Sequence, residues 1–411
     1  TIDLNGYTLS GVESATGSFG LLTNRGNLTI DDSKGTGAIK LSATENRGWN
    51  AYSSVISNQP GGVLVVNGGT IEHLGGTDMA YGIDNLTNGK GTSAVATING
   101  GHIKSTYRAV RQFLNGIEAN NSLTVNGGVI EGANKSIWMQ DPSANANTGD
   151  LTVDATAQLK GDVYLSVTAG STEWPVVVSV ATAALKDGSE VLSNNVPDGY
   201  QVILNDGYYK VINATPVSTA DQLVAALEAN ESVYLLNDIK IEPAKMSNAY
   251  GKTGINVKNG QTIDGGGHTL NIKGAGGTWD SGINTTGGII RNITVTGSFR
   301  GIFINHTSTY SEKVVLENVT IGDNGTVYTI SCDQGLYQTI EATNCTFNGW
   351  TSFAKTAGEA KFVNCSFGEG SGYKYCRPYS NTEFVKCTFC PGYAVDQTQA
   401  EVTFTDCTWE K

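Results

Sequence analysis

The residues of the N-terminal half best suited to chemistry are one acid, one base and three aromatic rings at a regular spacing. Asp84, Arg111 and Trp138 follow one another at intervals of 27 residues, and Tyr81 and Tyr107 lie just before the first two. Aromatic rings pack against the faces of sugars, and an arginine holds a carboxylate through two parallel hydrogen bonds. If the five side chains point to solvent, they form a candidate binding site for an extended glycan.

The same residues also permit a structural interpretation. Asp84 and Arg111 could form an ion pair between neighbouring strands, and the rings could pack beneath loops. His102 and His268 each follow a glycine, but no paired acids accompany them, and we interpret both as surface residues. The sequence therefore predicts no catalytic residues, no metal site and no cofactor.

A repeated motif carries the candidate residues. Residues 64–72 read LVVNGGTIE, residues 96–104 read ATINGGHIK and residues 123–131 read LTVNGGVIE. The β-branched run before each Asn-Gly-Gly favours a strand, the bend residues tolerate a positive φ, and alternation resumes after the bend. The motifs begin 32 and 27 residues apart. Repeats of this length indicate a stacked solenoid, in which each repeat forms one coil of a parallel β-helix. The bend residues are Asp31, Asn67, Asn99, Asn126 and Asp154.

These motifs resemble the right-handed parallel β-helix of the pectin-lyase-like superfamily, and most closely its repeat proteins from bacterial cell surfaces. The resemblance implies an all-β fold in which asparagines at successive bends stack into a ladder. The ladder residues of the first half are Asn67, Asn99 and Asn126. A catalytic arginine like that of pectate lyases is an alternative for Arg108, Arg111 or Arg300. That chemistry also needs acids on neighbouring coils to hold calcium, and only Asp84 lies beside such a base.

The C-terminal half repeats the architecture. Residues 1–10, TIDLNGYTLS, align without a gap with residues 262–271, TIDGGGHTLN. The later bend residues are Asn292, Asn318, Asn344, Asn364, Lys386 and Asp406. The four asparagines of this set extend the predicted structural ladder. We therefore predict two tandem right-handed parallel β-helices, at residues 1–213 and 214–411.

The cysteines follow the repeat of the second half. Those that come directly after a bend residue, and so fall in one inward column, are Cys345, Cys365, Cys387 and Cys407. No histidine is interleaved with them, and a stacked column is a poor tetrahedral metal site. We interpret the column as small buried apolar side chains. Cys332, Cys376 and Cys390 lie outside it, and their disulfide pairing is left open.

Two segments depart from the repeat. Residues 160–213 lose the motif and are interpreted as an irregular closing region that ends in a hairpin, with Asn205-Asp206-Gly207 as its turn. Residues 218–230 are predicted to form a helix with Ser218 as N-cap, which caps the second β-helix at its N-terminal end. Because the chain opens inside a coil, we expect a signal sequence and a further cap upstream of residue 1.

A second set of strands lies between the bends. The residues aligned as pointing into the coil are Leu21, Val55, Ile83, Val110 and Ile137. Successive side chains of a strand point to opposite faces, so the residue after each of these points outward. This alignment places Asp84, Arg111 and Trp138 in one outward row.

Composition narrows the classes of function. The formal net charge is −12, with 26 basic and 38 acidic residues, which argues against nucleic acid as a partner because phosphate binding needs clustered Lys and Arg. No apolar run approaches the roughly 18 residues needed to span a bilayer, and no signal peptide opens the chain. With 52 glycines and 16% charged residues, the composition is typical of many tight bends between strands.

Together these observations predict an extracellular bacterial surface solenoid that is non-catalytic and adhesin-like or glycan-binding. Its expected partner is a polysaccharide or a glycan of a host cell surface. The first alternative is a polysaccharide lyase or glycoside hydrolase that acts on an acidic polysaccharide, since the fold alone does not decide activity. The second alternative is a segment of a phage tail-spike or fibre.

Overall fold

The computed structural model divides into two compact units, Thr1–Asn213 (unit 1) and Ala214–Lys411 (unit 2). Strands in mainly parallel sheets dominate both units, which confirms the predicted all-β fold. Among the residues described, no helix is long and apolar enough to cross a membrane. The structure describes residues 1–13, 18–43, 52–76, 79–116, 118–141, 147–243, 247–249, 252–277, 280–304, 313–322, 325–332, 339–353 and 359–411.

Unit 1 is built from short strands that the repeat places at regular intervals, with a 3₁₀ turn at Thr182–Ala184. Its strands are β1 (Ile2–Asp3), β2 (Thr8–Val12), β3 (Phe19–Asn24), β4 (Asn27–Asp31), β5 (Ala38–Ser42), β6 (Ser53–Asn58), β7 (Val63–Val66), β8 (Thr70–Leu74), β9 (Ala80–Asn88), β10 (Ser93–Ile98), β11 (His102–Ser105), β12 (Arg108–Asn115), β13 (Asn120–Val125), β14 (Val129–Asp141), β15 (Thr148–Val153), β16 (Gln158–Val167), β17 (Val176–Ala181), β18 (Leu185–Lys186), β19 (Val191–Asn194), β20 (Tyr200–Asn205) and β21 (Tyr208–Asn213).

Three strands make one coil of unit 1, as β7, β8 and β9 do. The first face contains β1, β4, β7, β10, β13, β15 and β17, and the second begins with β2, β5, β8 and β11. The third face begins with β3, β6, β9 and β12, and the long strands β14 and β16 pass from the second face to the third. Apolar side chains of all three faces form one continuous buried core.

The inward column of the third face is fixed by the strand pairing. Ile83 pairs with Val110, and Val110 with Ile137, as the sequence alignment has them. In the first two coils the alignment is wrong by one residue, because Leu22 pairs with Ile56 and Ile56 with Ile83. Leu21-Leu22 and Val55-Ile56 are both pairs of adjacent apolar residues, so alternation alone does not identify the inward one.

The closing region of unit 1 is more regular than the loss of the motif implied. Strand β17 pairs in parallel with β15, and both β18 and β19 pair in parallel with β16, so the interpretation of residues 160–213 as irregular is wrong. Val176, Val178 and Val180 keep the period-two burial of a strand even though the Asn-Gly-Gly bend is lost. The stack then changes direction: β21 pairs antiparallel with both β17 and β20.

Unit 2 contains one helix, α1 (Ala220–Glu228), among its described residues. Its strands are β22 (Thr215–Val217), β23 (Val233–Leu235), β24 (Ile239–Ile241), β25 (Ser247–Ala249), β26 (Lys252–Val257), β27 (Thr262–Asp264), β28 (Thr269–Ile272), β29 (Ser281–Thr285), β30 (Gly288–Thr296), β31 (Arg300–Ile304), β32 (Lys313–Ile321), β33 (Tyr328–Ser331), β34 (Thr339–Thr343), β35 (Thr346–Asn348), β36 (Trp350–Phe353), β37 (Glu359–Val363), β38 (Ser366–Gly368), β39 (Tyr375–Pro378), β40 (Asn381–Val385), β41 (Thr388–Phe389), β42 (Ala394–Val395), β43 (Val402–Thr405) and β44 (Thr408–Trp409).

The coils of unit 2 are also three-sided. One sheet contains the first two faces, which the long strands β30 and β32 join, and a second sheet, from β25 to β42, forms the third face. Toward the C-terminus phenylalanines replace the aliphatic residues of the core, and ring stacks run along the axis. Phe362 stacks on Phe384 with centroids 5.3 Å apart, and Phe367 stacks on Phe389 at 4.9 Å.

Helix α1 is shorter than predicted and begins one residue after its N-cap Thr219, so the assignment of Ser218 as N-cap is wrong. Thr219 Oγ1 accepts a hydrogen bond from Gln222 N at 3.2 Å, while Ser218 N donates to Gln222 Oε1 at 2.9 Å. The pair resembles a capping box, except that Gln222 accepts from the residue before the N-cap and not from the N-cap itself. The apolar face of the helix, Leu223, Ala226 and Leu227, is buried in the core of unit 2.

The two units form their bends differently. In unit 1 the second glycine of Asn-Gly-Gly takes the positive φ, as at Gly101 with φ +85°, where a Cβ would lie 2.5 Å from Gly69 O. In unit 2 the bend residue itself is left-handed, with φ between 50° and 55° for Asn292, Asn318, Asn344 and Asn364. Asparagine tolerates this conformation better than most residues. Lys386 and Asp406 adopt it as well.

Candidate functional site

The row predicted on the third face of unit 1 exists, but it lies beneath the surface. Asp84 pairs with Arg111, and Arg111 with Trp138, on adjacent strands. Asp84, Arg111 and Tyr81 are 0%, 1% and 0% exposed, and Trp138 is 6% exposed. The prediction that these side chains line an open groove is therefore wrong. They point away from the coil interior, but other side chains cover them.

Asp84 and Arg111 form the cross-strand ion pair of the structural interpretation. Arg111 Nε donates to Asp84 Oδ1 at 2.8 Å, and Arg111 Nη2 donates to Asp84 Oδ2 at 2.7 Å. The guanidinium carbon lies 5.0, 4.5 and 4.3 Å from the ring centroids of Tyr52, Tyr81 and Phe113. Although burial lowers the pKa of Arg111, the Asp84 carboxylate beside it keeps that pKa above its usual value.

A second arginine of this face, Arg108, differs in having no acid partner among the residues that the structure describes. Its guanidinium lies between two rings, 4.4 Å from the Tyr107 centroid and 3.9 Å from that of Trp138, and the residue is 7% exposed. Arg108 donates to the hydroxyls of Tyr81 and Tyr107, at 3.5 and 3.2 Å. Within the described part of the chain, its Nε has no hydrogen-bond partner and no carboxylate approaches within 4.0 Å.

Next to Arg108 lies an open groove of about 420 Å³. Lys135 and Tyr164 line it together with the edge of Trp138, whose indole nitrogen donates to Ser166 Oγ at 2.9 Å. Lys135 Nζ lies 4.6 Å from the Tyr164 ring centroid. The pKa of Lys135 is lowered mainly by burial and secondly by the neighbouring Arg108 cation. The groove thus combines two cations with two aromatic rings.

Of the five predicted ligand-binding residues, Trp138 lines this groove, and Tyr81 and Tyr107 contact the Arg108 guanidinium that forms its wall. Lys135 and Tyr164 were not predicted from the sequence, and Arg108 was named only as an alternative catalytic arginine and not as a binding group. Their signal was present in the register, since Arg108 pairs with Lys135 and Trp138 with Tyr164 on successive strands. We name the groove residues Arg108, Lys135, Trp138 and Tyr164 the cationic groove.

The bend asparagines form hydrogen-bonded ladders on the outside of both units. In unit 1 the Nδ2 of each residue donates to the preceding Oδ1: Asn67 to Asp31, Asn99 to Asn67 and Asn126 to Asn99, each at 2.8 Å. In unit 2 Asn318 donates to Asn292 at 3.0 Å and Asn364 to Asn344 at 2.7 Å. These contacts join successive bends and carry no chemistry of their own.

The cysteine column is buried except at its last member, and its four cysteines are free thiols. Cys345, Cys365 and Cys387 are each 1% exposed, whereas Cys407 is only partly buried. Each thiol of the column donates to backbone carbonyls, as Cys387 does to Phe362 O at 3.4 Å. The described residues contain no group of three metal-ligating side chains. Of the three cysteines outside the column, Cys332 and Cys376 are buried and Cys390 is partly buried.

We expect a thiol reagent to react slowly with Cys345, Cys365 and Cys387 in the folded protein and quickly in denaturant, because thiols sealed in the core are accessible only on opening. Mass spectrometry after timed labelling distinguishes the sites. Partly buried Cys390 and Cys407 supply the comparison and are expected to react first. Rapid labelling of the three buried thiols under native conditions would contradict the inward column.

His73 is a buried titratable group on the second face of unit 1. Its Nε2 lies 2.8 Å from Ser53 Oγ, and burial lowers the pKa of His73 to about 4, against an opposing effect of the nearby Gly75 backbone. The unfolded chain therefore binds the proton first, below about pH 6.5, and the folded chain follows only near pH 4. Unit 1 thus loses stability as the pH falls between these values.

We expect the unfolding free energy of unit 1 to drop by up to about 3 kcal/mol from this group between pH 7 and pH 4. The variant His73→Gln lacks the titration and keeps a partner for Ser53. Urea unfolding at several pH values measures both proteins. Parallel pH dependences of the parent and His73→Gln would show that this histidine does not carry the effect.

The comparisons with known proteins agree with this architecture. Residues 214–355 match a family model described as "Putative pectate lyase-like adhesive domain". No curated protein matches the chain. The match, which covers about a third of the chain, and the stacked parallel strands confirm the resemblance to pectin-lyase-like β-helix repeat proteins of the adhesive type. Unit 2 thus contains a segment similar to pectate lyase-like adhesive domains.

Proposed function

We propose that this protein is an extracellular, non-catalytic surface solenoid that binds an acidic glycan through the cationic groove of unit 1. The match to an adhesive domain supports the adhesin-like part of the proposal. The observation that carries the ligand class is the Arg108 guanidinium, which is 7% exposed and has no carboxylate partner among the described residues. A buried cation normally has such a partner, because desolvation without one is costly.

A uronate carboxylate would complete this environment. The Arg108 Nε lacks a hydrogen-bond partner in the described part of the chain, and Lys135 adds a second cation at the groove wall. Tyr164 is half-buried and offers a ring to the sugar next along the chain. The groove residues come from successive coils, which lie about 4.8 Å apart along the axis. The cleft therefore follows an extended polymer better than a compact ligand.

The test is the affinity of the full chain for oligogalacturonate measured by isothermal titration calorimetry. Tyr164→Ala is expected to weaken binding about 5- to 150-fold, the range for removal of an anchoring ring. Lys135→Gln is expected to weaken it as well, and the effect should shrink in high salt. Lys90→Gln removes an equal charge from a lysine that is 70% exposed elsewhere and is the matched control.

An equal loss of affinity in Lys90→Gln and Lys135→Gln would show that only the net charge of the protein matters, and it would contradict the groove proposal. So would the absence of binding to any acidic glycan on an array. Unchanged affinity in Tyr164→Ala would show that the Tyr164 ring does not contact the glycan. Far-ultraviolet circular dichroism of each variant confirms that the fold is retained.

A lyase is the second candidate, and the lowered pKa of Lys135 favours it. In an elimination, a neutral Lys135 would take the proton next to the uronate carboxylate, a C=C bond would form, and the glycosidic oxygen would leave with a proton. Hydrolysis has less support, because it uses two carboxylates and the described lining of the groove contains one, Asp141. Ultraviolet absorbance of an unsaturated product from polygalacturonate, lost in Lys135→Gln, would establish the lyase instead.

The phage-fibre alternative predicts a trimer, whereas a surface adhesin of this kind needs no particular assembly. Sedimentation equilibrium of the full chain against its monomer mass of 43.2 kDa distinguishes them. We expect a monomer under conditions in which glycan binding is measured. A stable trimer would favour the fibre.

A further inference from the structure

An outward row of aromatic residues lies on the third face of unit 2. The strand register aligns Tyr328 with Trp350, and Thr351 with Cys376, which sets Trp350 level with Tyr375. The Tyr328 and Trp350 rings stack with centroids 4.8 Å apart, and Tyr375 meets Trp350 edge-on at 5.3 Å. All three rings are half-buried and hold one another in place. They form a rigid base rather than three free rings.

Tyr373 lies on top of this base. A tight turn between Gly370 and Tyr373, with positive φ at Ser371 and Gly372, lifts its ring out of the strand. The ring centroid lies 5.5 Å from that of Trp350, and the residue is 40% exposed. Tyr373 is thus an exposed large side chain that is oriented by an aromatic neighbour. A fixed ring of this kind costs little conformational entropy when a ligand packs on it.

Polar groups border the rings and balance one another in charge. Tyr375 Oη donates to Asp396 Oδ2 at 2.9 Å, and Arg377 Nε lies 3.6 Å from the same carboxylate oxygen. Hydrogen bonds from Thr398 lower the pKa of Asp396, so this carboxylate is ionised at neutral pH and acts as an acceptor. The other nearby cation, Lys374, pairs with Glu369 at 2.9 Å.

We propose that Tyr373, Tyr375, Arg377 and Asp396 form a second carbohydrate site, which takes an uncharged pyranose of a neutral glycan. The exposed Tyr373 ring receives the apolar face of the sugar. Arg377 donates to one hydroxyl and Asp396 accepts from its neighbour, which suits a vicinal diol because each hydroxyl is both donor and acceptor. An acidic sugar is disfavoured, since both cations already have carboxylate partners.

This site shares no residue with the cationic groove, and it is proposed for an uncharged ligand because its cations are already paired. An experiment can therefore contradict one proposal and leave the other intact. The test uses the full chain on an array of neutral oligosaccharides, namely cello-, malto-, xylo- and mannohexaose, beside oligogalacturonate. Binding to at least one neutral hexamer is expected. For that hexamer, Tyr373→Ala should weaken binding about 5- to 150-fold, and Asp396→Asn should weaken it at least several-fold.

Two controls keep the sites distinct. Tyr7→Ala removes a tyrosine that is 72% exposed in unit 1 and should leave the affinity for the neutral hexamer unchanged. Lys135→Gln should also leave it unchanged. The proposal is overturned if no neutral hexamer binds, if Tyr373→Ala binds as the parent does, or if Lys135→Gln abolishes neutral binding.

Discussion

The variant Arg111→Met is expected to lower the unfolding free energy of unit 1 by about 3–5 kcal/mol, the usual cost of removing one partner of a buried ion pair. Arg111 and Asp84 are 1% and 0% exposed and share two short hydrogen bonds. Methionine fills much of the space but leaves the buried Asp84 carboxyl group without its cation partner. Chemical denaturation followed by circular dichroism measures the loss.

The double variant Asp84→Leu/Arg111→Met tests the cause. The double variant loses the attraction between the two charges, but it no longer buries an unpaired charge. It should therefore be more stable than Arg111→Met alone. If the double variant instead loses the sum of the two single effects, the residues act through packing and not as a pair. The packing of Arg111 on Tyr81 and Phe113 makes this comparison necessary.

Phe362→Ala is expected to lower the unfolding free energy of unit 2 by about 3–5 kcal/mol. Phe362 is fully buried, and its ring centroid lies 5.0–5.7 Å from those of four other phenylalanines. Truncation removes apolar area and leaves a cavity that a regular stack of rings fills poorly. Phe404→Ala, at a partly buried ring 5.3 Å from Phe384, is the matched control and should cost clearly less.

Equal losses in the two phenylalanine variants would mean that burial does not decide the effect, contrary to the stacked core described above. Because the chain has two units, unfolding should be followed in a way that resolves them. The buried cysteines of unit 2 provide this readout, since their exposure to a thiol reagent reports on that unit alone.

The repeat motif predicted the coils well because it carries its own geometry. A β-branched run before an asparagine and a period near two after it fix a strand, a bend and the inward residue, as at Leu64, Asn67 and Ile71. The antiparallel end of unit 1 could also be inferred, from Asp206-Gly207, whose φ values of 51° and 79° suit a two-residue hairpin turn. Where two apolar residues are adjacent, as at Val55-Ile56, the alternation does not show which of them points inward, and the predicted register was wrong by one residue.

The candidate site was harder to predict for a physical reason. Alternation shows which side chains leave the coil interior, but not which of them another segment then covers. Asp84 and Arg111 point outward and are still buried, in part beneath Tyr52. The rings around Trp350 were missed for a related reason, since Tyr373 reaches them from a turn that no repeat position predicts.

The direction of the backbone hydrogen bonds has a mechanical consequence. In both stacks these bonds join one coil to the next, so a pull applied to a chain end loads the bonds of the outermost coil first. In unit 2 successive ladder residues are 26 residues apart at Asn292 and Asn318, and 20 apart at Asn344 and Asn364. Each coil that peels away would release about 70–90 Å of extended chain. We therefore expect either stack, when pulled by a chain end, to lengthen in steps of about one coil, which single-molecule force measurements would detect.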